Sequence, residues 1–242
     1  MSNDSYTIKP IARIYTDYNE KFGIPRQPGL IDDLYGRIVF EPAFRDEDAI
    51  RCIEQFSHIW LVWGFSETRI DMEAERPKWS PLISPPMLGG KTQVGVWASR
   101  SPYRPNSLGL SSVELVSVNV DADGPVLIVK GADIMSGTPI YDIKPYIPYS
   151  DSHPEASEGY SVKETDFLEV DFPEDLRTLI APDKINGLIK VLKQDPRGAY
   201  EKEPGHVYGL SFHTYDIKFT VEDRILKVFA VETLSSGINH IK

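Results

Sequence analysis

The residues best equipped for chemistry lie in one short connection, Ser99-Arg100-Ser101-Pro102-Tyr103-Arg104-Pro105-Asn106. It gathers two arginines, two prolines and an asparagine. Each proline fixes its own φ and biases the residue before it away from helix, so Ser101 and Arg104 are expected to be extended. A stiff loop presents its side chains with little entropy left to lose on binding. Residues 76 to 110 contain five Lys or Arg and no Asp or Glu, in a chain whose formal net charge is -10. The local sign opposes the global one and predicts an anionic partner. The alternative is a proline-rich surface turn with solvated arginines.

A second stiff polar loop, Lys21-Phe22-Gly23-Ile24-Pro25-Arg26-Gln27-Pro28-Gly29-Leu30, brackets an arginine and an amide with prolines. Taken alone it also reads as a plain turn. In residues 138–149, Asp142 and Lys144 stand at an i, i+2 spacing, which puts an acid and a base on one face of an extended ribbon. An edge-strand ion pair of little energetic weight is the other reading of that pair. His58, at the start of an apolar run, has the chemistry of a base or a ligand, but a lone histidine there more often serves as a structural hydrogen-bonder. The five histidines are scattered and no His, Cys or carboxylate spacing makes a zinc site, so no metal is expected. The chain also lacks a phosphate loop ending in Lys-Ser or Lys-Thr, a G-x-G-x-x-G turn and a G-x-S-x-G elbow.

The elements that must position these groups are mostly strands. Residues 6–15 alternate through Ile8, Ile11 and Ile14, and residues 37–40 follow the same pattern. Residues 46–56 predict a helix whose first turn carries Asp46, Glu47 and Asp48, with Cys52 on its apolar side. Residues 57–65 are apolar on both faces, as in the central strand of a closed or doubly covered sheet. Residues 94–98 alternate as a strand leading into the arginine loop, and 112–120 and 126–129 form a hairpin over a turn-rich link. Between residues 150 and 175 the composition turns to Asp, Glu, Ser and Pro, which marks a linker. Beyond it come a helical period over 173–193 split at Pro182, and strands at 207–211, 213–221 and 224–231. The expected class is mainly β: a barrel-like amino-terminal domain over residues 1–155, a small α+β carboxy-terminal domain over 156–234, and a polar tail over 235–242.

At 242 residues, 41% of them hydrophobic, the chain has ample material for a core. Its single Cys52 cannot form an internal disulfide, the first ten residues lack the apolar core of a signal peptide, and no apolar run approaches the length of a membrane span. A reducing, cytoplasmic setting without a membrane is therefore expected. A pI near 5.0 excludes indiscriminate nucleic-acid binding unless basic residues gather on one face.

Residues 21–30, 56–60, 100–109, 133–146 and 194–200 together resemble, in order, the loops of the TrmO (YaeB-like) family. The resemblance implies a single-sheet β-barrel amino-terminal domain that binds S-adenosylmethionine, a homodimer with its site near the subunit interface, and methyl transfer to N6 of threonylcarbamoyl-adenosine beside the anticodon of a tRNA substrate. It further implies cofactor contacts from Pro25, Arg26, Gln27, Phe65, Ser66, Glu67, Arg100, Leu110, Gly131, Ala132, Asp133 and Ile134. Arg104 and Asn106 are implied to bind RNA, and Asp142, Lys144 and Tyr146 to form the catalytic, anticodon-facing group. A guanidinium suits the methionine carboxylate because its fork donates two parallel charge-assisted bonds. A cationic sulfonium calls for an acid or a carbonyl oxygen nearby. The chain departs from the family pattern at Ser66, Ser107 and Gly198, where a histidine and two prolines are expected, and Ser107 should loosen the arginine loop. Competing with the enzyme are a non-catalytic S-adenosylmethionine or nucleotide-binding module and a purely structural barrel.

Overall fold

Alternating apolar residues bury one side of each strand, and in this chain the buried sides close on themselves. The computed structural model describes residues 6–65, 79–85, 88–122, 124–161, 167–197, 203 and 205–234. In chain order the strands are β1 (Ala12–Tyr15), β2 (Tyr35–Phe40), β3 (His58–Gly64), the short pair β4 (Leu82–Ile83) and β5 (Val94–Gly95), then β6 (Leu108–Asp121), β7 (Gly124–Lys130) and β8 (Thr138–Pro145). All but β4 and β5 form a closed antiparallel barrel in the order β1-β2-β7-β6-β3-β8. Ile14, Ile38, Ile59, Leu61, Val113, Leu127, Val129 and Ile140 fill its interior. Closure explains the run at 57–65: one face of β3 points into the barrel while the other is partly covered from outside.

A second sheet, β10 (Tyr208–Phe212), β11 (Tyr215–Glu222) and β12 (Ile225–Thr233), is extended by β9 (Glu169–Asp171), which joins β12 in parallel. The helices are α1 (Pro148–Asp151), α2 (Glu174–Arg177) and α3 (Ile185–Lys193). Leu188, Val191 and Leu192 of α3 share a core with Phe212, Ile217, Phe219 and Val228. Tyr18, just past β1, belongs to this second core rather than to the barrel.

Two local expectations are corrected, and one strand escaped the pattern. The helix expected over 46–56 is two 3-10 turns, Glu47–Ile50 and Ile53–Gln55. Cys52 between them has φ of 69° and is exposed, so its left-handed backbone breaks the helical path. The strand expected over 94–98 ends at Gly95, and Val96–Ala98 is a 3-10 turn. Val96 is buried and its carbonyl accepts from Ser99 N at 3.2 Å, so packing of one residue overrides the alternation. Strand β9, three residues within an acidic stretch, has no period long enough to find by pattern.

Candidate active site

The two proline-bracketed loops meet over one end of the barrel, where β3 and β6 run side by side. Between them lies a cavity of about 630 Å³, within the usual range for a small-molecule site. Pro25, Arg26, Gln27, Phe65, Arg100, Leu110 and Asp133 line it, drawn from four separate segments of chain. Arg100 donates from Nη1 to Gln27 Oε1 and so joins the two loops across its mouth.

The floor is polar in a way that the sequence pattern missed. Trp63 Nε1 donates to Ser111 Oγ at 3.0 Å, and Ser111 Oγ donates to Asp133 Oδ1 at 2.7 Å. Ser111 is 1% exposed, so this serine is committed to the chain of bonds. Burial pushes the Asp133 carboxyl above its ordinary value, opposed by the Ser111 hydrogen bond and the Arg100 charge. A ligand that brings its own positive charge would relieve that penalty. Ser111 is a polar residue on the inward face of an otherwise apolar strand position pattern, which is the signal available to find it. Trp63 is tilted over Gly109, where an added Cβ would lie 2.3 Å from the indole. A side chain at 109 would therefore displace the floor. A bulge opposite Val62 and Trp63 leaves Tyr141 without a partner on β3 and marks the same end of the barrel.

Gly131, Ala132 and Ile134 flank Asp133 without lining the cavity; they hold its loop. The Gly131 carbonyl accepts from Gly29 N at 2.8 Å, and a Cβ on Gly131, whose φ is 73°, would come within 3.1 Å of the Gly29 backbone. The Ile134 side chain is in the barrel core, and its carbonyl accepts from Thr16 Oγ1 at 2.8 Å. Ser66 and Glu67 lie outside the described residues, as do Gly198 and the tail from 235.

Arg104 lines the cavity, but its guanidinium is spent inside its own loop. Nε donates to Ser101 O at 3.0 Å, and Nη2 donates to Val96 O at 3.1 Å and Ser99 O at 2.6 Å. The residue expected to face RNA is thus a staple for the loop, because the bent connection leaves carbonyls that need donors. Ser107 does the opposite of loosening it: 7% exposed, with φ of 44°, it donates from N to Arg104 O at 3.1 Å, and its carbonyl accepts from Phe65 N at 3.0 Å. Asn106 is exposed beside this turn and outside the cavity lining.

Asp142, Lys144 and Tyr146 lie outside the cavity, on the outer face of β8 and just past its end. Lys144 Nζ is 2.8 Å from Asp142 Oδ2, and that contact raises the lysine's pKa. Across the sheet, Lys144 is in register with Trp60 and Trp60 with Ser112, while Asp142 faces Val62 and Val62 faces Leu110. Two strand spacings, about 10 Å, therefore separate the ion pair from the cavity wall at Leu110 and Ser112. Trp60 bridges the gap: it lines the cavity, and its ring lies 5.6 Å from that of Tyr146. Ile147 N and Trp60 Nε1 each donate to Asp151 Oδ2 at 2.9 Å, which lowers the Asp151 pKa and fixes the indole. His58 stands at the far end of this strip, its ring 6.1 Å from Tyr146. Among the described residues no group of three or more His, Cys, Asp or Glu is placed to hold a metal.

An acid in the floor and guanidiniums at the mouth suit a ligand that carries both signs of charge. The chain also resembles known proteins over most of its length. The tRNA-methyltransferase O N-terminal domain matches residues 13–152, and the TrmO C-terminal domain matches residues 166–234. The tRNA (adenine(37)-N6)-methyltransferase of Escherichia coli is 36% identical over 94% of this chain and 98% of its own length. A putative S-adenosylmethionine-dependent methyltransferase of Pseudomonas aeruginosa, RcsF, is 35% identical over 88% of this chain and 91% of its own. The crystal structure of TrmO from P. aeruginosa superposes with a TM-score of 0.74 at 29% identity, covering 95% of this chain and 97% of that one. With both family domains matched in order and the whole fold shared, this chain belongs to the tRNA-methyltransferase O (TrmO) family.

Proposed function

We propose that this protein transfers a methyl group from S-adenosylmethionine to N6 of adenosine 37 in tRNA, with the base presented as threonylcarbamoyl-adenosine. The observation that carries the reading is the cavity with Asp133 in its floor and Arg100 bonded to Gln27 at its mouth, in a chain 36% identical to a tRNA (adenine(37)-N6)-methyltransferase. When bound, S-adenosylmethionine supplies an electrophilic methyl group on a cationic sulfur. Asp133, held by Ser111, supplies the negative charge that a sulfonium needs, while Arg26 and Arg100 take the amino-acid carboxylate. Leu110 and Trp63 give apolar walls for the adenosine.

On the substrate side, N6 would take the methyl group as the methyl–sulfur bond breaks, its electron pair staying on sulfur to leave a neutral thioether, and would release its proton, which is weakly acidic because the nitrogen adjoins a carbonyl. The Asp142–Lys144 pair and Tyr146 line the approach along β8, with Trp60 at the boundary. Lys144 neutralises backbone phosphate, Tyr146 stacks, and Asp142, about 10 Å from the cavity wall, takes the proton through intervening water. Two domains joined near residue 155 would form each subunit of a homodimer working in the cytoplasm, where tRNA is available.

Labelled methyl transfer to tRNA carrying threonylcarbamoyl-adenosine tests the reading, with calorimetry of S-adenosylmethionine beside it. Cofactor binding with no labelled product would replace the enzyme by a binding module. In Arg100→Ala, cofactor affinity should fall about tenfold or more, the loss of a charge-assisted contact, with the thermal midpoint nearly unchanged. Unchanged affinity would misplace the site.

A further inference from the structure

The arginine loop has a second face that the cavity does not use. On it Trp97 is 72% exposed, and its ring stacks on Trp79 at 6.3 Å and 23° between planes. Leu82 and Tyr103, also exposed, belong to the same surface: Leu82 is paired with Gly95, and Ser80 N donates to Tyr103 O at 3.5 Å. An isolated exposed hydrophobic residue needs no explanation, whereas a cluster with two stacked indoles does.

The cluster is held still. Val96, the residue before Trp97, is 1% exposed and anchors the turn. The Arg104 guanidinium grips the carbonyls of Val96 and Ser99 on either side, and Tyr160 Oη donates to Ala98 O at 2.7 Å. The carbonyls of Val96, Ala98 and Ser99 around Trp97 are thereby held, while its indole is left largely in solvent. Such a ring loses little entropy when something stacks on it.

We propose that Trp97, backed by Trp79, is a stacking platform for an unpaired base of the RNA whose neighbouring nucleotide enters the cavity. The proposal rests on the tRNA reading above and adds a recognition element to it. Two observations choose RNA as the occupant. Residues 76–110 carry five Lys or Arg and no acid within a chain of net charge -10, so this segment of sequence has the sign that draws a polyanion. The platform also belongs to the loop that walls the cavity, since Arg100 and Pro102, three and five residues on, line it. A strand threaded past the cavity would place a flanking base against these rings, where stacking is tolerant of sequence. Arg104 then acts as a positioning residue for the platform.

The test uses the full chain and an unmodified anticodon stem-loop RNA, with binding read by gel shift and indole quenching. Methyl transfer to modified tRNA and calorimetry of S-adenosylmethionine are measured in parallel. Trp97→Ala should weaken RNA binding, and raise KM for tRNA, about tenfold, the scale of one lost stacked base, with kcat and cofactor affinity near those of the unaltered protein. Trp97→Phe should recover most of the loss, which a merely structural role would not predict. RNA binding unchanged in Trp97→Ala overturns the proposal, as does failure of the unaltered protein to bind the RNA. A variant that falls from dimer to monomer in sedimentation also overturns it and assigns the indoles to a second copy of this chain. If the unaltered protein binds RNA through Trp97 yet transfers no methyl group, the platform stands and the methyltransferase reading fails.

Discussion

Lys184→Met removes the cation that faces Asp17 and tests what fastens the second sheet to the barrel. Asp17 lies just beyond β1 with its side chain 2% exposed, and the Nζ of Lys184, a side chain 15% exposed, sits 2.9 Å from Oδ2. The next candidate cation, His213 Nε2, is 3.9 Å from Oδ1, but burial lowers its pKa and keeps it neutral near pH 7. The carboxylate cannot swing to water, because the chain around it is tied: His213 N donates to Asp17 O at 2.8 Å, and Asn19 Nδ2 donates to His213 O at 2.6 Å. Removing one partner of a buried pair usually costs about 3–5 kcal/mol. The partly open lysine places this pair near 3 kcal/mol. All four tryptophans precede residue 98, so denaturant unfolding should be followed by hydrogen exchange at Leu210 and Ile217 rather than by fluorescence alone. The variant should lower protection there by about 3 kcal/mol, and Asp17→Asn combined with Lys184→Met should recover most of it. A loss below about 0.5 kcal/mol would show that the carboxylate is solvated and refute the reasoning. Cofactor affinity should fall alongside, because Thr16 Oγ1 donates to Ile134 O and Ser136 N donates to Tyr18 O, bonding this connector to the Asp133 loop.

Asp133→Asn should raise the thermal midpoint of the ligand-free protein at neutral pH and weaken S-adenosylmethionine binding about tenfold. The sign follows from a folded-state pKa above the ordinary carboxylate value: the protein with Asp133 loses stability as pH rises from about 4 through the folded pKa, and the amide does not. A lower midpoint in the variant at pH 7 would contradict a desolvated carboxylate. Gly109→Ala should cost about 1–3 kcal/mol and abolish tight cofactor binding, since the new Cβ drives the Trp63 indole off Ser111; calorimetry showing full affinity would disprove that packing. Lys144→Ala should cut turnover on tRNA about tenfold while leaving cofactor affinity within twofold, and equal losses in both would move Lys144 to the cofactor side.

Much of the site was legible because its chemistry is local in sequence. Proline spacing marked both loops as stiff, and the cavity is built between them. The barrel was legible for a similar reason: alternation survives in β1 and in the first half of β6, and a run apolar on both faces, as at 57–65 in β3, demands cover on both sides. Residues 46–56 failed where one left-handed residue, Cys52, breaks a period that composition cannot see broken.

By itself the sequence determined the class of fold, the stiff loops, and a basic segment in an acidic chain, because propensity, period and charge are properties of neighbours along the chain. Only the tertiary structure decided which groups meet. It turned Arg104 inward, since a bent loop leaves carbonyls that must find donors, and set Trp97 outward on the turn that Arg104 holds. It also joined Trp63, Ser111 and Asp133, far apart in sequence, into one line of hydrogen bonds, because closing the barrel buries polar atoms that must then satisfy one another.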